Sequence, residues 1–340
     1  MSNRYFILKR LAWSLFVLFG LSVLIFIVAR VIPGDPARMA LGPRAPQWAI
    51  DNMIKELHLN EPLYVQYWLW LKGVFTGDLG VSLVTRRPVL EDILEFLPAT
   101  LEIIILAAVI ETVGGILLGA LSARYSGSWF DSVVRVIAYL GVVTPAFVWA
   151  IIFVLIFGYV WPILPIIGRI DPGISTPPVI TGLMTIDSLL VGNFAAFISV
   201  LKHLILPSFA LAMGGMAQAA RITRSSMSEN LGRDYVGAEV AAGIPMRMVI
   251  LKYVLRPSLI PTVSIIALDI AAMLGNAFLV EVVFNYPGIS RYGINAMLTK
   301  DLNAIVSVIM VIGLAFVLVN ILVDIIVSYL DPRIRLQGGK

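Results

Sequence analysis

The chain has 340 residues, of which 59% are hydrophobic and only 14% are charged, and its mean hydropathy is +0.93. Because soluble domains carry about a quarter charged residues, this composition excludes a soluble globular protein and indicates one that crosses a membrane several times. The formal net charge of +4 gives no reason to expect a nucleic-acid partner. The absence of cysteine excludes disulfides, thiolate metal sites and cysteine nucleophiles.

Six apolar runs are long enough to cross a bilayer, which takes about 20 residues of helix. The first follows a basic N-terminal segment and is too long for the apolar part of a signal peptide, so we interpret it as an uncleaved helix. The predicted spans are approximately 10–30, 99–122, 133–160, 202–226, 258–284 and 303–330. The sequence therefore predicts an all-α integral membrane protein with six transmembrane helices.

The distribution of charge predicts the orientation in the membrane. An even number of spans puts both termini on one side. The predicted segments on that side hold 14 basic and 5 acidic residues, whereas those on the other side hold 10 and 11. Since Lys and Arg are in excess in cytoplasmic loops, we predict that both termini lie in the cytoplasm and that 331–340 is a cytoplasmic tail.

The predicted external segment 31–98 contains short amphipathic helices. Two of them cover 46–58 and 62–75, and the stretch 88–97 is expected to form another surface helix. The aromatic residues of 62–75 fit either a membrane interface or core packing. On the same side, the proline-rich and glycine-rich stretch 161–202 is expected to be irregular, with a re-entrant piece as an alternative, and a kink is predicted at Thr144-Pro145.

A polar stretch interrupts the apolar runs between Arg221 and Arg256, and it holds six basic and three acidic residues. Asn230-Leu231-Gly232 ends one helix, and Asp234 is predicted to cap a short helix that runs through Ala242. Gly243 stands where a left-handed residue ends a helix, and Ile244-Pro245 begins a second amphipathic segment. This pattern predicts a compact helix-turn-helix suited to a partner's groove.

This polar stretch resembles the cytoplasmic coupling loop of ABC importer permeases, with an alanine-rich helix, a glycine and, eighteen residues later, a proline at Pro261. The match is to the first membrane subunit of the dipeptide, oligopeptide and nickel permease family. Glu239, Val240 and Tyr253 depart from that family's usual residues. Short motifs similar to those of the family recur along the chain, at 33–37, 77–80, 86–88, 97–102, 202–207, 281–288 and 331–335.

The resemblance implies the type-1 importer fold, with a first helix over 1–30 and a transmembrane domain over 99–330 that contains a coupling loop at 227–257. It implies a homologous second permease, two cytoplasmic ATPases that bind ATP and Mg, and an external or periplasmic substrate-binding protein. The location would be the cytoplasmic (inner) membrane. The residues expected to contact an ATPase are Asp234, Ala238, Glu239, Ala242, Gly243, Ile244 and Pro245.

The chain itself carries no motif for catalysis. It has no phosphate-binding GxxxxGK[ST] loop, no serine, histidine and acid arrangement, and its two histidines, His58 and His203, are too far apart in sequence to suggest a metal site. We therefore expect a transport subunit without catalytic residues, bound cofactor or metal of its own.

Five acidic residues fall within the predicted spans: Glu102, Glu111, Asp269, Glu281 and Asp324. A carboxyl group inside the bilayer is costly and normally faces the bundle interior or a water-filled path. One hypothesis is that the deepest two, Glu111 and Asp269, line the pathway together with Met216 and Asn276 and tolerate the ammonium end of a peptide. The alternative is that the acids bond to neighbouring helices, and that Met216 serves packing.

Several functions remain open at this point. Within the importer class, di- or oligopeptides lead over nickel, glutathione and oligosaccharides as the substrate. A proton-coupled secondary transporter could use Glu111 and Asp269 as relay groups and would run without ATP. A membrane scaffold that transports nothing would need neither kinked helices nor carboxyl groups within the membrane.

Overall fold

The computed structural model describes residues 3–31, 38, 41–42, 44–56 and 58–330, and side chains over 12–28, 38, 41–42, 44–55 and 58–323. The family-like motifs at 33–37 and 331–335 and the predicted tail 331–340 lie outside the described residues. The side chain of Asp324 also lies outside them.

Apart from one isolated β-bridge between Val81 and Pro88, the regular structure of the described residues is helical. We number the helices in chain order: α1 Asn3–Val31, α2 Gln47–Glu56, α3 Leu63–Thr76, α4 Val89–Arg124, α5 Trp129–Val143, α6 Ala146–Val160, α7 Met184–Leu190, α8 Phe194–Leu231, α9 Asp234–Ala241, α10 Met246–Val283, α11 Ile289–Thr299 and α12 Leu302–Leu330. Two of them include π-helical turns, at Leu155–Val160 in α6 and at Val249–Leu255 in α10.

Among the residues that the structure describes, four helices are long and apolar enough to cross a membrane, namely α4, α8, α10 and the described part of α12. A fifth span results if α5 and α6 are counted as one broken helix. The first helix, α1, has 29 residues, and its described apolar part is Ala12–Val28. The chain is therefore a multi-pass, helical membrane protein.

Helix α8 lies at the centre of the bundle and packs against α4, α5, α6, α7 and α10. Small residues allow this. A Cβ added to Gly115 would lie 2.6 Å from the Cβ of Ala219, and one added to Gly141 would lie 2.6 Å from the Cβ of Ala217. Since apolar burial gives little drive between helices in lipid, close contact at small residues is what holds such helices together. Glycines of α4 and α5 therefore allow the close approach of α8.

Two spanning helices begin earlier than the sequence predicted. Helix α4 starts at Val89 and continues through Pro98. The prediction of a separate surface helix over 88–97 is therefore wrong. Helix α8 starts at Phe194 rather than near 202. A proline removes one hydrogen bond from a helix, but Val89 and Ile93 are buried in a cluster with α11 and α12, and this packing carries the helix past Pro98.

The break predicted at Thr144-Pro145 is confirmed, and it is a complete interruption between two helices rather than a kink within one. Thr144 and Pro145 both have extended backbone, with ψ values of 122° and 149°, and α5 and α6 meet at an angle of 112°. A proline disfavours helical geometry in the residue before it, which accounts for the end of α5 at Val143. The break turns the start of α6 toward the middle of the bundle.

The aromatic helix α3 packs some of its rings against α1 and leaves others exposed. On one face, the Tyr67 hydroxyl lies 2.8 Å from the Ser22 Oγ of α1, and the Tyr67 ring meets Phe26 edge to face at 5.3 Å between centroids. On the other face, Tyr64 is 76% exposed and Phe75 is 84% exposed. One side of α3 therefore holds α1, and the other presents aromatic rings outward.

Candidate functional site

A cavity of about 470 Å³ lies where α4, α8 and α10 meet the break between α5 and α6. We call it the acidic cavity. Apolar side chains and glycines form much of its wall, and none of the described residues that line it is basic. Its polar side chains are those of Glu111, Thr144, Asp269 and Asn276.

Glu111 has no hydrogen-bond partner within the described part of the chain. Its side chain is 0% exposed, and neither carboxyl oxygen is bonded. The carboxyl group lies against Gly215 of α8, where an added Cβ would overlap it. Asp269 of α10 is partly exposed, and its Oδ2 is likewise unpaired among the described residues. Two carboxyl groups thus face one cavity, and no basic side chain stands among the described residues that line it.

Glu102 has a different environment, although it lies on the same helix as Glu111. Arg169 donates two hydrogen bonds to its Oε2, at 2.6 Å from Nη2 and 3.1 Å from Nε. The backbone N–H and the hydroxyl of Thr185 both donate to Oε1 at 2.7 Å. This carboxylate therefore joins α4 to the irregular segment after α6, through Arg169, and to the start of α7, through Thr185, and its role is structural.

Glu281 near the end of α10 is also fully bonded. The Thr100 hydroxyl donates to its Oε1 at 2.5 Å, and the Arg291 backbone N–H donates to its Oε2 at 3.0 Å. Thr100 Oγ1 in turn accepts the Ile289 N–H at 2.9 Å. Since the first N–H groups of a helix have no partner within it, Glu281 and Thr100 together cap the start of α11.

The structure brings together three of the four residues predicted to line a pathway, namely Glu111, Asp269 and Asn276. Met216 does not line the cavity. It is buried, and a Cβ added to Gly114 would lie 2.6 Å from its Sδ, so it packs between α8 and α4. The sequence reasoning missed the residues from Thr144 to Phe147 as cavity wall, although the predicted kink was the local signal for them.

The seven residues predicted to contact an ATPase lie together in the segment between α8 and α10, residues 232–245, which we call the α9 loop. Gly243 has a φ of +84° and follows the end of α9, as predicted, and Pro245 precedes the first turn of α10. The Gly243 N–H donates to the Val240 carbonyl at 3.0 Å, and the Ile244 N–H to the Glu239 carbonyl at 3.2 Å. These bonds hold a compact turn between α9 and α10.

The α9 loop is anchored on one side only. Val236 and Ile244 pack in an apolar cluster with residues of α4, α8 and the π-helical turn of α10. Of the predicted contact residues, Glu239 and Ile244 are half-buried, and the other five, Asp234, Ala238, Ala242, Gly243 and Pro245, are exposed. The loop therefore presents an outer surface while its inner side is fixed to three helices.

The capping role predicted for Asp234 is wrong. Arg233 is the N-cap of α9, no side chain bonds to the cap, and Asp234 is the first residue of the helix. An acidic residue in a first turn still interacts favourably with the positive end of the helix dipole. Asp234 therefore favours α9 through charge rather than through a capping hydrogen bond.

A buried ion pair ties α5 to α8 near the end of the bundle that carries the α9 loop. Arg224 donates to both oxygens of Asp131, at 2.5 Å from Nε and 2.8 Å from Nη2. Ser122 of α4 and the Gly127 N–H also donate to Asp131. This ion pair could not be predicted from the sequence, because Arg224 lies 93 residues from Asp131.

A second, more open recess of about 720 Å³ lies at the other end of the bundle, between the start of α4 and residues 169–184. Nearby, Asp187 of α7 accepts hydrogen bonds from the Thr181 hydroxyl and from the N–H groups of Ile180, Thr181 and Gly182. Burial alone would raise the pKa of Asp187, but these bonds outweigh it and hold the pKa below its usual value. The carboxylate therefore fixes the turn at 180–182 beside this recess.

The described residues contain no group of three or more His, Cys, Asp and Glu side chains that could hold a metal ion. His203 is buried, and its Nδ1 lies 2.8 Å from the Ser199 carbonyl oxygen of the same helix.

Two family descriptions match the chain. "Binding-protein-dependent transport system inner membrane component" matches residues 115–336, and "Binding-prot-dependent transport system membrane comp, N-term" matches residues 4–104. The chain therefore belongs to the family of inner membrane components of binding-protein-dependent transport systems.

Three relatives give the range of similarity. The probable D,D-dipeptide transport system permease protein DdpB of Escherichia coli (strain K12) is 39% identical, with 98% of each chain covered. The dipeptide transport system permease protein DppB of Alkalihalophilus pseudofirmus is 41% identical, over 96% of this chain and 98% of the relative. The glutathione transport system permease protein GsiC of Escherichia coli O6:H1 is 32% identical, over 97% and 98%.

Proposed function

We propose that this chain is the permease subunit of an ATP-driven, binding-protein-dependent importer, and that it forms half of the translocation pathway for di- or oligopeptides. The observation that carries the proposal is the α9 loop. It is a hydrogen-bonded turn with an exposed outer surface, and its inner side packs on α4, α8 and α10. A force applied to its surface would therefore be passed to helices that line the acidic cavity.

In this proposal the chain crosses the membrane six times, through α1, α4, the broken pair α5 and α6, α8, α10 and α12. Both termini and the α9 loop lie in the cytoplasm, as the excess of basic residues on that side indicates. The external segment 31–98 and the recess beside 169–184 lie on the other side, where a substrate-binding protein would dock. The domain limits are those expected from the sequence, except that α4 extends ten residues into the external segment.

The partners would be a homologous second permease, two cytoplasmic ATPases and the binding protein. The ATPases would bind ATP and Mg, and this chain would bind neither. Closure of the ATPase pair on ATP would push on Asp234, Ala238, Glu239, Ala242, Gly243, Ile244 and Pro245 and rock the helices between two states of access. Glu111, Asp269 and Asn276 would line the path, and Met216 would act through its packing against Gly114.

Peptides are favoured as the substrate because the relatives DdpB and DppB are named for dipeptides. Glutathione, for which GsiC is named, is itself a short peptide and remains an alternative. No described feature favours nickel or an oligosaccharide.

The test is uptake of a radiolabelled dipeptide into proteoliposomes that contain the complex purified with this chain and its binding protein outside. We expect uptake that requires ATP and Mg inside and continues when the proton gradient is collapsed. Uptake driven by an imposed pH gradient without ATP would contradict the proposal and favour a proton-coupled carrier.

A further inference from the structure

Two features of opposite polarity face the acidic cavity. On one side are the carboxyl groups of Glu111 and Asp269. Glu111 is completely buried, and neither of its oxygens has a partner within the described residues. A buried polar group without a partner is costly, and the described wall contains no basic residue that would relieve this cost. The carboxyl pair is therefore suited to a cationic group that arrives from outside the chain.

On another side is the N-terminal end of α6. Its N-cap is Pro145, which offers no side-chain hydrogen bond, and Ala146 and Phe147 both line the cavity. The first N–H groups of a helix have no partner within it, and the helix dipole makes this end positive. The start of α6 is therefore suited to an anionic group. Thr144, also in the wall, adds a hydroxyl that can donate a hydrogen bond.

The size of the cavity fits a short zwitterion. A sphere of 470 Å³ is about 10 Å across, and a dipeptide extends roughly 7 Å between its ends. The apolar part of the wall leaves room for small side chains. A ligand with one positive and one negative end would therefore reach both polar sides of the cavity at once.

We propose that the acidic cavity is a binding subsite for unblocked, zwitterionic short peptides, with the α-ammonium group at Glu111 and Asp269 and the α-carboxylate at the N-terminal end of α6. This inference rests on the proposed function and adds to it that the permease itself recognises both termini of the peptide. The ammonium group donates hydrogen bonds to the carboxyl oxygens and to the Asn276 amide oxygen. The peptide carboxylate accepts them from the N–H groups of Ala146 and Phe147.

The experiment is saturation-transfer NMR on the assembled complex in nanodiscs, without the binding protein, so that only the membrane subunits can hold the probe. The probes are L-alanyl-L-alanine, its N-acetyl derivative and its C-terminal amide. We expect the unmodified dipeptide to bind, and each blocked form to bind roughly tenfold more weakly, because each loses hydrogen bonds between charged groups.

Two pairs of variants locate the contacts. Glu111→Gln replaces the buried carboxyl group by an amide, and its matched control is Glu91→Gln, the same change at an exposed position of the same helix. Ala146→Pro removes one N–H group at a position where proline is tolerated. Its matched control is Leu63→Pro, the same kind of change at the first residue of α3, which also follows a proline N-cap and lies outside the cavity wall. We expect Glu111→Gln and Ala146→Pro to weaken dipeptide binding roughly tenfold, and the two controls to leave it within about twofold.

Equal binding of the three probes, or unchanged dipeptide binding in Glu111→Gln and Ala146→Pro, would overturn the subsite. Thermal unfolding of each purified variant identifies any that fail to fold. Glu111→Asp, which keeps the carboxyl group, is expected to retain part of the binding that Glu111→Gln loses. Uptake into proteoliposomes distinguishes the two claims. Normal ATP-driven uptake with no selective binding refutes the subsite alone, whereas absence of ATP-driven uptake in the wild type refutes the proposed function.

Discussion

At the scale of single residues, the acidic side chains of the spanning helices fall into two groups, those that have hydrogen-bond partners and those that have none among the described residues. Glu102 and Glu281 have a hydrogen bond on each oxygen, whereas Glu111 has none among the described residues. A fully bonded buried carboxylate holds elements together, and an unpaired one beside a cavity is available to a ligand. All three are buried glutamates, so only their partners in the three-dimensional structure distinguish structural from functional roles.

This division predicts different effects for the same change at two glycines. A Cβ at Gly288 would overlap the Glu281 carboxyl group, and a Cβ at Gly215 would overlap that of Glu111. We expect Gly288→Ala to destabilise the protein by about 1.5–3 kcal/mol, because Glu281 must give up hydrogen bonds to move. Gly215→Ala should cost less stability, because Glu111 has none to lose and can move into the cavity.

The measurement is thermal unfolding of the two purified variants in the same detergent, together with dipeptide uptake. We expect a lower Tm for Gly288→Ala, and near-normal Tm but reduced uptake for Gly215→Ala. Equal loss of Tm in the two variants would contradict the assignment of different roles to Glu281 and Glu111.

At the scale of elements, the α9 loop depends on the positive φ of Gly243 between α9 and α10. The position itself is open, because an added Cβ meets no atom within 4 Å. A side chain there strains the backbone and changes the outer surface without disturbing the core. The effect of a substitution is therefore expected in coupling to an ATPase and not in insertion or folding.

We predict that Gly243→Asp inserts normally but hydrolyses ATP without matching uptake. Gly127→Asp is the matched control, since Gly127 also has a positive φ of +81° and open space around it, in the loop between α4 and α5. The measurement is the number of dipeptides taken up per ATP hydrolysed in proteoliposomes. We expect this ratio to fall at least about tenfold for Gly243→Asp and to stay normal for Gly127→Asp. An equal loss in both variants would assign the effect to backbone strain alone.

Helices and turns could be predicted from the sequence where neighbouring residues alone determine them. The apolar runs located the four long apolar helices and the bent pair α5 and α6. Thr144-Pro145 and Gly243 located a break and a turn, because proline restricts and glycine frees the local backbone. The start of α4 was not predictable, since burial of Val89 and Ile93 against α11 and α12 is a long-range contact. The partners of Glu102 and Asp131 could not be predicted either, because Arg169 and Arg224 are 67 and 93 residues away.

At the scale of the whole molecule, the proposed topology puts the loop between α4 and α5 in the cytoplasm and the segment 161–183 outside. The chain lacks cysteine, so single cysteines can report sidedness without background. Ser126 and Ser175 are exposed, one in each segment. We predict that a membrane-impermeant maleimide added to intact cells labels Ser175→Cys and leaves Ser126→Cys unlabelled until the membrane is permeabilised. Labelling of Ser126→Cys in intact cells would reverse the orientation.

The composition of the assembled protein tests the central claim most directly. We would express the chain with its genomic neighbours, purify it in mild detergent through a tag and measure the mass of the intact complex by native mass spectrometry. The proposal predicts one copy of this chain with one homologous permease and two ATPases. A chain that stays alone, or pairs only with itself, would contradict its role as half of an ATP-driven importer.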